Sequence, residues 1–91
     1  MSMERLAECR EKIDIIDLKL LALLNERTTV VEEIGRIKQN LTLPIYEPRR
    51  EEQVFHNVTS NNPGPLTGAA LKRIFERIID EMRTVQRDRM L

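Results

Sequence analysis

From Met3 to Asn40 the chain contains no proline and one glycine, Gly35, while apolar residues return at spacings of three and four throughout. That period belongs to a helix, and nothing in the stretch breaks it. A single helix of this length extends roughly 55 Å at about 1.5 Å per residue. A compact monomer of 91 residues has a diameter of roughly 30 Å. The helix therefore overhangs any globule its own chain can build, and its apolar stripe calls for a second chain. The economical arrangement is a symmetric dimer with long helices packed together.

The stripe also carries charge. Leu6, Ile13, Leu20, Arg27, Ile34 and Leu41 recur every seven residues, and Arg10, Asp17, Leu24, Val31 and Lys38 interleave with them. Arg27 and Lys38 fall about 20° apart around the helix and roughly 16 Å apart along it, so both heads can grip opposite ends of one small anion. Arg10 lies about 25 Å before Arg27 and roughly 100° off its azimuth. It cannot serve the same ligand within one chain, but an antiparallel partner can present it. Two structural alternatives stand beside this reading: Asp17 pairs with Arg10 or with a partner arginine, and Lys38 extends to water while supporting the helix dipole. Arg27 fits them least, because Leu20, Leu24, Val31 and Ile34 flank it on its own face and an anion is needed to offset its desolvation. Glu26 faces away. Cations on this face without a matching set of acids on the same helix point to a dianion.

Pro44 and Pro48 end helical geometry at Leu43 and Glu47. Pro48 suits the first position of a second helix, and Glu47, Glu51 and Glu52 suit its positive end. That helix is expected to run to about Ser60 with Val54, Phe55 and Val58 inward. SNNPGPL is a turn cluster, and Thr67 caps a third helix from about Gly68 to Arg89. Its broad apolar face holds Leu71, Ile74, Phe75, Ile78, Ile79, Met82 and Val85, with Gln86 at the edge. The fold class is all-α, three helices in one domain over residues 1–91.

Composition removes several functions. Fifteen Lys+Arg balance fifteen Asp+Glu, so no overall field draws nucleic acid or an anionic membrane. Two Phe, one Tyr and no Trp leave no platform for stacking bases. A spanning helix and a signal peptide are not expected, and the chain reads as soluble and cytoplasmic. Cys9 and His56 are the only residues of their types, which excludes an internal disulfide and a cluster of soft metal ligands. Cys9 is expected to be semi-buried and His56 solvated. Glu47 and Glu51, one turn apart, invite a reading as paired acid and base; acids are equally expected at a helix start.

Taken in order, CREKID with Arg10, LLALLNER with Arg27, IGRIK with Lys38, PIYEPRREE with Glu47, Arg50 and Glu51, and FERIIDEMRTVQ with Gln86 resemble the all-helical chorismate mutases over nearly the whole chain. The resemblance implies an intertwined homodimer of three-helix chains with two equivalent sites, each borrowing Arg10 from the partner. It implies rearrangement of chorismate, a small dianion, to prephenate on the way to phenylalanine and tyrosine, with no cofactor and no metal. Arg27 and the partner's Arg10 would hold carboxylates, with Arg50 in support. Lys38 would bridge a carboxylate and the ether oxygen, and Gln86 would donate to that oxygen. Glu51 would accept from the ring hydroxyl, and Glu47 would help through its backbone. Met82 departs from the pattern, since bacterial relatives often place a small hydroxyl residue there, and weaker substrate binding is expected. The same fold also supports isochorismate pyruvate lyase, and a non-catalytic helical dimer docking on another shikimate-pathway enzyme is the alternative from a different class. The length leaves no room for a fused dehydratase or dehydrogenase; feedback control is not legible.

Overall fold

The computed structural model describes residues 2–89. Among them lie three helices and no strand: α1 (Met3–Leu41), α2 (Pro48–Ser60) and α3 (Gly68–Arg89). None is long and apolar enough to cross a membrane. The chain forms two compact units, one ending at Val30 and the other starting at Val31.

The first unit is the N-terminal part of α1. Its stripe residues Leu6, Ile13, Ile16, Leu20 and Leu24 are all exposed, and so is Cys9, contrary to the semi-buried position expected for it. The apolar period that produced the expectation marks a face, and within a single chain this stretch of that face is open. Arg10 is exposed and Arg27 half-buried.

The second unit joins the end of α1 to α2 and α3. Val31, Gly35 and Lys38 are the buried residues of α1, following one another at steps of four and three along one face. Ile79, Met82 and Gln86 are the buried residues of α3. On α2, Val54, Phe55 and Val58 are half-buried, as the sequence predicts, and this helix packs against α3. Ile74 differs from expectation, being 46% exposed: the apolar face of α3 is wider than the surface one chain offers it. The buried apolar core comprises Val31, Ile79 and Met82 among the described residues, a small core for a domain.

Each helix end in this unit has a local cause. At the end of α1, Thr42 adopts φ 56°, and the amides of Leu43 and Thr42 donate to the carbonyls of Lys38 and Gln39 at 2.8 and 3.3 Å. This is the left-handed Schellman closure, here built on threonine where glycine is usual. Pro48 opens α2. Thr67 Oγ1 accepts from the Ala70 amide at 3.1 Å, the N-cap that its position predicts.

Gly35 sets how near α3 can approach. A Cβ there would stand 3.4 Å from Gln86 Cα and 3.7 Å from Arg89 Cβ. One methyl group just fits, and alanine favours a helix over glycine by about 1 kcal/mol. Gly35→Ala is therefore expected to raise stability by up to about 1 kcal/mol, read as a higher urea midpoint at unchanged slope. Gly35→Leu has no room for its branch and should lower the midpoint. An alanine variant less stable than the parent would show that the approach is tighter than this geometry allows.

Candidate active site

The second unit buries an ammonium. Lys38 is 6% exposed and Gln86 8%. Lys38 is carried by the last turn of α1, where its positive charge complements the helix dipole. A buried cation is tolerated only when its donors are matched, and all three N–H bonds of this one have acceptors. Nζ donates to the Ile45 carbonyl at 3.0 Å and to Gln86 Oε1 at 2.9 Å, and it pairs with Glu47 Oε1 at 2.9 Å. The lysine thus joins the end of α1, the connecting loop and α3.

The bond to Gln86 fixes the amide. An ammonium has no lone pair to offer, so only the amide oxygen can face it and Nε2 is turned elsewhere as a donor. Gln86 is therefore a buried, oriented group, not the edge residue that the helical period placed beside the apolar face. Glu47 stands at the start of the second helix, as expected. It occupies the N-cap position of α2 without making a side-chain cap; its carboxylate faces Lys38. The acid that α1 lacks on its own face comes from the loop.

One turn into α2 lies Glu51, whose amide donates to the Glu47 carbonyl at 3.0 Å. Glu51 Oε2 stands 3.4 Å from Arg83 Nε. The guanidinium also bonds Asp80 Oδ1 through Nη2 at 2.5 Å, and its Cζ lies 5.5 Å from the centre of the Tyr46 ring. Arg83 Nε is shut off from solvent without a well-aligned hydrogen bond, an arrangement that costs about 1–3 kcal/mol where nothing offsets it.

Of the residues singled out in the sequence, Lys38, Glu47 and Gln86 thus meet directly. Glu51 stands with Arg83, and Met82 is buried one turn before Gln86. Arg50 is exposed, its Nη1 donating to Gln53 Oε1 at 3.4 Å along its own helix. Arg27 and Arg10 belong to the first unit. Sequence reasoning missed Arg83. The available signal was a charged residue one step from inward-facing Met82, at the azimuth where a neighbouring helix can sit.

Residues 9–87 match the family model for chorismate mutase type II. The chain is 40% identical over 67 residues to the chorismate mutase of Methanocaldococcus jannaschii, covering 64% of this chain and 68% of that protein. It is 41% identical over 81 residues to the bifunctional chorismate mutase/prephenate dehydratase of Aquifex aeolicus, which is 85% of this chain and 22% of the relative. It thus spans about a fifth of the length of that bifunctional protein. The crystal structure of chorismate mutase from Helicobacter pylori in complex with prephenate superposes with a TM-score of 0.88 at 28% identity, over 96% of this chain and 94% of that one.

Proposed function

Because this chain belongs to the family of type II chorismate mutases, we propose that it is an isomerase converting chorismate to prephenate, with residues 1–91 acting as one domain in the cytoplasm. The observation that carries the reading is the buried pair of Lys38 Nζ and Gln86 Oε1. The reaction is a unimolecular rearrangement in which one carbon–oxygen bond breaks as one carbon–carbon bond forms. It needs no nucleophile, metal or proton transfer. Acceleration by about a millionfold requires roughly 8 kcal/mol, which must come from holding the enolpyruvyl arm in a chair-like shape and from donors aimed at the ether oxygen.

Lys38 and Gln86 are those donors. The ammonium turns a hydrogen toward the ether oxygen, and the Gln86 amide, its oxygen already engaged, offers Nε2. In the free chain Glu47 takes that hydrogen; with substrate bound, Glu47 withdraws and the ether oxygen and a neighbouring substrate carboxylate share it. Glu51 accepts from the ring hydroxyl. The family resemblance assigns the carboxylates to Arg27 and to Arg10 of the partner subunit, with Arg50 in support. Met82, apolar and buried, contributes packing where a hydroxyl would contribute a bond.

A second copy of the chain completes the enzyme in this reading. The five exposed stripe residues of the first unit, Leu6, Ile13, Ile16, Leu20 and Leu24, stand to gain about 1.5–3 kcal/mol each on full burial. Sedimentation is expected to give twice the 10.7 kDa chain mass; a monomer at micromolar concentration would remove the shared site. The activity itself is tested by supplying purified protein with chorismate and isochorismate in turn. Prephenate formed from chorismate is the expected result. Pyruvate released from isochorismate with chorismate untouched would assign the lyase reaction instead. Arg27→Ala is expected to abolish turnover while the dimer survives, whereas an interfacial arginine of a non-catalytic module would leave ligand binding unchanged.

A further inference from the structure

We infer that Arg83 is a positioning residue that holds the Glu51 carboxylate ready for a substrate hydroxyl, an inference that rests on the proposed mutase reading. A site for a dianion gains nothing from a free carboxylate, which repels the ligand. Glu51 becomes useful as a hydroxyl acceptor only if its charge is locally balanced and one of its oxygens is kept in place. Arg83 supplies the countercharge, which it shares with Asp80, and stands against one of the two oxygens. Its Nε faces Oε2 at 3.4 Å, which leaves Oε1 as the oxygen available to a ligand.

The guanidinium is itself held. Asp80, one turn earlier on α3, fixes Nη2 at 2.5 Å, and the Tyr46 ring covers Cζ. Tyr46 lies between Ile45 and Glu47, two of the groups that meet Lys38. Arg83 is thus held from two sides, with its Nε toward the first turn of α2. A surface ion pair explains less: Nε is inaccessible to water, and the Arg83 and Glu51 side chains are only 29% and 20% exposed.

The test is a double-mutant cycle between Arg83→Met, which keeps an apolar stem, and Glu51→Gln, read as kcat and KM for chorismate on the purified full chain. A bond from Glu51 to the ring hydroxyl is present in both the bound substrate and the transition state, so its loss raises KM more than it lowers kcat. Arg83→Met is expected to raise KM about tenfold with kcat within about threefold. In the Glu51→Gln background the same change should move KM by less than about twofold. Arg83→Lys, which keeps the charge without the planar fork, should recover part of the loss; should the methionine variant fail to fold, the lysine variant carries the same cycle with a smaller expected rise. An unchanged KM in an active enzyme overturns the role of Arg83 alone, as does an equal rise in both backgrounds, which would mark a general structural loss. A parent chain that leaves chorismate unconsumed overturns the mutase reading beneath it.

Discussion

Lys38→Ala is expected to lower kcat by about a thousandfold or more while raising KM far less. Removing one preorganised donor from a developing oxyanion costs roughly 10²–10³ in rate, and this donor carries a full charge in a water-poor setting, where its interactions strengthen. The bond to the ether oxygen tightens as charge gathers there, so the loss concentrates in kcat and not in substrate binding. Stability changes too. Glu47 is 42% exposed at its side chain and can turn to water, but buried Gln86 loses the partner of its Oε1, a penalty of about 1–3 kcal/mol. Thermal unfolding measured beside the kinetics separates the two effects. If kcat stays within tenfold of the parent in a folded variant, or if kcat and KM suffer equally, Lys38 is not the donor to the ether oxygen.

The helices were legible because their signals are local. The uninterrupted period before Asn40 marks α1, Pro48 begins α2 and Thr67 caps α3, and each is a property of a few neighbouring residues. Lys38 and Gln86 could be chosen as candidates, but their direct contact depends on which azimuth α3 presents to the end of α1, and no single helix contains that information. The counter-ion was hidden for the same reason. A search for acids on the lysine's own face cannot find Glu47, which arrives from beyond Pro44 on a loop. Arg83 stood in plain view as a charge next to Met82, yet its meaning requires knowing that α2 starts opposite it. The errors at Cys9 and Ile74 run the other way. Periodicity locates an apolar face without saying whether the same chain covers it, and both residues are left open here.

Gln86→Glu provides the sharpest test of the amide's role, because it changes one atom and installs a pH dependence that the parent lacks at this position. The parent amide donates through Nε2 at any pH, whereas a carboxyl donates only when protonated. A glutamate near its ordinary value of about 4.3 is protonated in roughly one molecule in 500 at pH 7. Turnover at neutral pH should accordingly fall by about two orders of magnitude or more. The sign of the recovery follows from the proton count: activity rises as pH falls, by about tenfold per unit, until the carboxyl is largely protonated. The ammonium of Lys38, now facing a carboxylate in place of the Oε1 that it meets at 2.9 Å, favours the ionised form and displaces the recovery further toward acid. Glu47 on the same ammonium works in the opposite direction, since two carboxylates sharing one cation favour a bound proton. In kcat/KM, which reports the free enzyme, Glu47→Gln added to the Gln86→Glu variant should therefore move the recovery to lower pH. A flat profile in the single variant would mean that the amide hydrogen is not used, and that Gln86 serves the reaction only by holding Lys38.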